Sequence, residues 1–220
     1  MVDIFDEVDE ELRAESAQKL LKRYGGVIAA AALAVIGAAG GWQGWQWYQA
    51  KQDAATAAAY VSTASVADGS DALDPAARGA LSSAFDRLAA GAPDGYRVLA
   101  RLRSAALKAD AGDLNGAATL WDQVAGDAGA DPLLRDLATL MWAQRQLDQG
   151  DPARVEARLK PLTEPGNAWR SLAQEQLALL EMRQGHADAA KAAFRKLSQD
   201  VTAPSGVRSR ATALLSRIGA

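Results

Sequence analysis

Few side chains in this sequence can do chemistry at neutral pH: among 220 residues there is one histidine, His186, and no cysteine. The lack of cysteine rules out disulfides, thiolate metal sites and a cysteine nucleophile. His186 stands beside Gly185 with no second imidazole or thiolate to help it hold a metal, so it reads as a solvated turn residue. No G-x-S-x-G elbow, no G-x-x-x-x-G-K-S/T phosphate loop and no H-E-x-x-H pair occurs. Carboxylates remain. Asp148, Asp151 and Glu175 are the one hydrolytic set that can be named, yet Asp151 before Pro152 has a simpler use, complementing the positive N-terminus of the helix that follows. The expectation is a protein that is not an enzyme and holds no metal or cofactor.

Charge narrows the partners. The first 23 residues carry seven acids and four bases, and the rest of the chain holds twenty of each, so the main body is close to neutral. No basic surplus is available for phosphates, and no Lys/Arg stripe alternates with aromatics, so nucleic acid is not an expected partner. The chain's work then has to come from its surfaces and from the elements that build them.

From Tyr96 onward three helix breaks align: Ala111-Gly112-Asp113-Leu114, Gln149-Gly150-Asp151-Pro152 and Gln184-Gly185-His186-Ala187, with the glycines 38 and 35 residues apart. Seven residues before each glycine lies an alanine: Ala105, Ala143 and Ala178. Five after comes Ala117, Val155 or Ala190; nine after, Trp121, Leu159 or Phe194; twelve after, Val124, Leu162 or Leu197. Steps of four and three residues keep these positions on one helical face. Each unit is thus a helical hairpin that cannot cover its own apolar face and needs the next unit stacked on it. The stretch from Ser205 reads as a closing helix, with Val207, Ala211, Leu214 and Ile218 on one face and Arg208, Arg210 and Arg217 keeping the rest wet.

This order of small, glycine, small, large and apolar residues resembles the tetratricopeptide repeat. The middle unit departs from the pattern at Val155 and Leu159, and all three units depart late in the first helix, where Lys108, Gln146 and Glu181 replace an aromatic. The resemblance implies an inner surface built from the first helix of each pair, with groove positions at Leu102, Gln144, Asp148, Glu175, Leu179 and Arg183. On the alternative reading Leu102 and Leu179 are core and the charged residues form a solvated face.

Ahead of the repeats, residues 24–50 hold no charge and are bracketed by Lys22 and Arg23 before and Lys51 after. This reads as a transmembrane helix, its core long enough for a hydrocarbon layer of about 30 Å, with Trp42, Trp45, Trp47 and Tyr48 at one end as an interfacial belt. Gly37 and Gly41, then Gly40 and Gly44, stand four apart and form a helix-contact face. Residues 1–23 read as an acidic amphipathic segment with Ile4, Phe5, Val8 and Leu12 in one sector and Glu15 paired with Lys19. An acidic leader is not a secretory signal peptide, so the helix is expected to be retained. Four bases on the N-terminal side against Lys51 on the other place the N-terminus in the cytoplasm. Residues 51–95 form a helical connector: the first helix continues and frays near Asp68–Asp71, then a second, capped by Asp74 and opened by Pro75, turns Leu81, Phe85 and Leu88 to one face and stops at Gly91 to Gly95.

Asp3 to Arg13, Tyr24-Gly25, Gly95-Tyr96-Arg97 and the repeats together resemble the YfgM-like family, ancillary subunits of the bacterial Sec translocon. The fold class expected is all-α: one N-terminal transmembrane helix, then a tetratricopeptide-like α-solenoid over residues 96–220. The resemblance implies a single-pass inner-membrane protein with its repeat domain in the periplasm, and partners among Sec translocon subunits, periplasmic chaperones or exported chains. The other expectation is an envelope scaffold or cell-division coordinator that assembles as a homo-oligomer.

Overall fold

The computed structural model describes the backbone of residues 4–69 and 74–218, and the side chains from residue 24 onward except 25 and 28. Every element among these residues is helical. They comprise α1 (Ile4–Asp68), α2 (Pro75–Gly91), α3 (Asp94–Asp110), α4 (Leu114–Ala125), α5 (Pro132–Gln146), α6 (Pro152–Leu159), α7 (Arg170–Arg183), α8 (Ala187–Gln199) and α9 (Ser205–Ile218). A 3-10 turn, Lys160–Thr163, follows α6 directly. The chain divides into two compact units, Met1–Ala54 and Ala55–Ala220.

In the first unit the uncharged stretch is helical throughout, as its composition predicts. Among the described residues no helix is long and apolar enough to cross a membrane. Beyond Ala29 the stretch is largely alanine and glycine, with Gln43, Gln46 and Gln49 among them. Gly25 and Ile28 lie outside the residues whose side chains are described. So do the amphipathic sector of Ile4, Phe5, Val8 and Leu12 and the Glu15/Lys19 pair. Leu33, Val35, Ile36, Trp42, Trp45 and Trp47 are each at least 59 % exposed. A Cβ built on Gly37, Gly40, Gly41 or Gly44 meets nothing within 4 Å.

In the second unit each helix packs on the next, and α3, α5, α7 and α9 also touch in sequence. They form an inner layer, with α4, α6 and α8 outside it. Aspartates start these helices: side chains of Asp74, Asp113, Asp131 and Asp151 each accept a hydrogen bond from a free first-turn N–H, and Pro75, Pro132 and Pro152 fill first-turn positions that need no donor. Asp94 and Gly95, expected in a loop, instead form the first turn of α3.

The repeat positions are the core. All twelve, from Ala105 to Leu197, are 3 % exposed or less. Gly112 and Gly185 take left-handed backbone, φ +90° and +81°, which lets Asp113 N–H reach the Lys108 carbonyl at 2.8 Å and His186 N–H reach that of Glu181 at 2.9 Å. The middle unit differs. Gly150 is not left-handed; there the need is space, because a Cβ would stand 2.7 Å from the Gln146 carbonyl oxygen. Pro161 lacks the N–H an α-helix would use, so α6 ends early and Leu162 reaches the core from the 3-10 turn.

A smaller cluster of Phe85, Ala89, Ala100 and Leu107 joins α2 to α3, with Tyr60 and Ala64 of α1 packed against it. Tyr60 stands between the rings of Phe85 and Tyr96, at centroid distances of 5.6 and 5.9 Å. Burial pushes the Tyr60 phenol above its ordinary value, against the pull of Arg103. Lys108, one of the departures from the repeat pattern, reaches Asp86 at 3.2 Å, while Asp86 also accepts from Ser104, itself 3.0 Å from Ser82. The lysine replaces an aromatic contact with a polar clasp between α2 and α3.

Candidate functional site

The inner layer opens into a cavity of about 580 Å³ between α5, α7 and α9. Each helix contributes residues at same-face spacing: Leu137, Leu140, Met141 and Gln144 from α5; Leu172, Glu175, Gln176 and Leu179 from α7; Arg210 and Leu214 from α9. Leu147 and Trp169 complete the wall. Trp169 is held by its indole N–H, which donates to the Leu133 carbonyl at 2.9 Å.

Two adjacent residues on α7 give this apolar wall its polarity. The Glu175 carboxylate is 8 % exposed and receives two hydrogen bonds from Arg210, Nε at 2.7 Å and Nη2 at 2.6 Å. This planar fork is the strong form of such a pair, and it holds the Arg210 guanidinium above its ordinary value. The pair is close to neutral as seen from the cavity. Gln176 is 7 % exposed, and its Oε1 is fully buried without a partner.

Of the six groove positions expected from sequence, Gln144, Glu175 and Leu179 meet at this cavity. Leu102, on the buried face of α3, lies in the core, as on the alternative reading. Asp148 is exposed in the turn after α5. Arg183 points back along the layer and donates to the carbonyls of Leu147, at 2.8 Å, and Gly150, at 2.7 Å. Glu175 is not part of a solvated face, and Arg210 does not simply keep α9 wet; each is where it is because of the other. Sequence reasoning missed Gln176, Met141, Trp169 and Arg210. A signal for Arg210 existed, since an acid followed by arginine 35 residues later recurs at Asp68/Arg103, Asp110/Arg145 and Glu175/Arg210, and all three pairs are joined.

These pairs belong to a wider pattern. Arg103 of α3 holds Asp68, the last residue of α1; Arg145 of α5 holds Asp110, the last residue of α3, at 2.5 Å; Arg183 of α7 holds the carbonyls that end α5. Each of α3, α5 and α7 thus places a cation at the negative end of the inner helix before it. Within the second unit the end of α1 therefore occupies the place of a first helix, with α2 as its companion.

The remaining polar groups have local duties. His186 precedes α8, with Nδ1 2.7 Å from the Glu181 carboxylate. Asp151 accepts from Ala153 N–H at 3.1 Å, the capping use its position before Pro152 implies. Trp142 is covered by Arg158, 3.9 Å from its ring centroid, which also bonds Asp122 at 2.5 Å. Among the described residues no three His, Asp or Glu side chains gather to hold a metal ion.

A family profile described as a tetratricopeptide repeat-like domain matches residues 18–212. No curated protein and no solved structure matches the chain.

Proposed function

The chain belongs to the tetratricopeptide repeat-like domain family, and from that premise we propose that it is a protein-binding module whose partner docks on the inner layer of α5, α7 and α9. The observation that carries this reading is the leucine-lined cavity between three inner helices, with Gln144, Glu175 and Arg210 among its polar residues. Pockets of about 300–1,000 Å³ with apolar walls and a few placed polar groups are the usual form of a binding site. The test is photocrosslinking from Leu179 in the full chain within native membranes. Recovery of a defined partner that Leu179→Glu abolishes supports the module; no crosslink, where control membrane complexes are recovered, counts against it.

The finer reading places the module at a bacterial inner membrane, N-terminus in the cytoplasm and repeats in the periplasm. There it would assist exported proteins or recruit periplasmic chaperones beside the Sec translocon. Its support is the resemblance carried by Asp3 to Arg13, Tyr24-Gly25 and Gly95-Tyr96-Arg97, together with the exposed apolar side chains of α1. This reading takes α1 across the bilayer. Carbonate extraction separates an embedded chain from a surface-bound one, and a chain recovered wholly in the soluble fraction removes membrane attachment. The other reading, an envelope scaffold, draws on the open faces of Gly37, Gly40, Gly41 and Gly44. Light scattering that finds only a monomer in mild detergent would remove it.

A further inference from the structure

We propose that a second copy of this chain docks on the outer layer along α8, so that two α8 helices pair antiparallel about a twofold axis. The proposal stands apart from the inner-layer partner site; it rests on the envelope-scaffold reading and names an interface for it. Three observations carry it. The first is a groove of about 350 Å³ between the 3-10 turn and α8. Its floor is one face of α7, with Leu177, Ala178 and Glu181, and its wall is one face of α8, with Ala189, Ala193 and Lys196. The second is a contrast with the middle unit. Counted from the turn glycines, Ala189 and Ala193 stand where that unit has Arg154 and Arg158, and Leu177 stands where it has Trp142. In the middle unit the two guanidinium groups lie over the ring, 5.2 and 3.9 Å from its centroid, and Arg158 ties α6 to Asp122 of α4 at 2.5 Å. An alanine at either place cannot reach across, so the third unit's groove has no such tie.

The third observation is charge, and it selects the occupant. The groove has an acid at one end and a base at the other. Glu181 lies beside the hairpin turn, where its Oε2 stands 2.7 Å from His186 Nδ1. Lys196 lies in the last turn of α8, exposed and outside any ion pair among the described residues. A copy laid antiparallel in the groove brings its Lys196 to Glu181 and its Glu181 to Lys196. One surface then supplies both halves of two equivalent contacts, which is the property a twofold interface requires. The short side chains of Ala189 and Ala193 let the two helix axes approach to about 8 Å, the close end of helix packing.

The experiment uses the full chain in mild detergent, with light scattering across a concentration series and cysteine crosslinking. The parent is expected to show a monomer–dimer equilibrium. Lys196→Glu and Glu181→Lys should each weaken the dimer at least about tenfold, since either one sets like charges together at both equivalent contacts, and the double variant should recover to within about threefold. Ala189→Arg returns the middle unit's arginine to an exposed position and should weaken the dimer by a similar factor. Because the chain has no cysteine, one introduced thiol reports one position. Ala192→Cys, at the centre of the paired helices, should give a disulfide-linked dimer with copper phenanthroline as oxidant, and Ala157→Cys, at the same offset in α6, should not. A parent that stays monomeric overturns the proposal together with the scaffold reading. A dimer that resists Lys196→Glu and Ala189→Arg, a double variant that does not recover, or equal crosslinking through Ala157→Cys overturns the proposal alone and leaves assembly to another face. A different protein crosslinked at Ala192→Cys in native membranes, in place of a second copy, also overturns it.

Discussion

Glu175 keeps a carboxylate in a nearly closed wall because one side chain on another helix satisfies both oxygens. Removing that side chain strands the charge. Arg210→Ala is therefore expected to lower stability by about 2–3 kcal/mol in urea unfolding, short of the ~3–5 of a fully enclosed pair because Arg210 is 55 % exposed. Arg210→Lys keeps the charge but not the fork, and should fall between the two. Gln176 makes the opposite case. Its orphaned oxygen costs stability, so Gln176→Leu should raise the melting temperature by about 2–4 °C, on the order of 1 kcal/mol. Tyr60 reports on pH. Its folded value is raised by burial above 10.0, so above about pH 10 the unfolded chain releases a proton that the folded chain retains, and stability falls as pH rises. Chemical unfolding across pH 9 to 11 should show this decline, and Tyr60→Phe should flatten it.

At the scale of the helix and its turn, glycines of one residue type separate into three kinds. Gly112→Ala forces a side chain into left-handed backbone and should cost about 1–2 kcal/mol. Gly150→Ala has ordinary backbone but meets the Gln146 carbonyl at 2.7 Å, and should destabilise by clash. Gly79→Ala, inside α2 with nothing within 4 Å, should stabilise by about 0.5–1 kcal/mol. Ranked melting temperatures of the three variants test the distinction. The hairpins themselves were legible in the sequence because their signal is local: a small residue, a glycine and a large residue at same-face steps fix which side of each helix is buried. Trp121, Leu159 and Phe194 were found this way. The break at Pro161 is equally local, but Leu162 still falls at the expected count, so spacing alone does not reveal it. The inner wall was not legible by helix periodicity. Glu175 and Arg210 lie 35 residues apart, on different helices, so each looks solvated when its own helix is considered alone.

In the whole molecule, each repeat covers its neighbour and the last must be closed. Phe194 and Leu197 of α8 share a cluster with Val207 and Ala211 of α9. Ending the chain before Ser205 uncovers them, so α8 and the C-terminal half of α7 should lose amide protection in hydrogen exchange while α3 and α4 keep theirs. Uniform loss across the solenoid would show instead that the repeats unfold as one unit. The row of arginines sets a timetable for synthesis. Arg145 follows Asp110, which it closes on, by 35 residues. At about 5–20 residues per second, the end of each inner helix on a growing chain stays open for roughly two to seven seconds before its arginine arrives. Closely spaced contacts of this kind favour rapid local folding, so a ribosome-bound chain would set one hairpin after another, each finished only when its successor is under way.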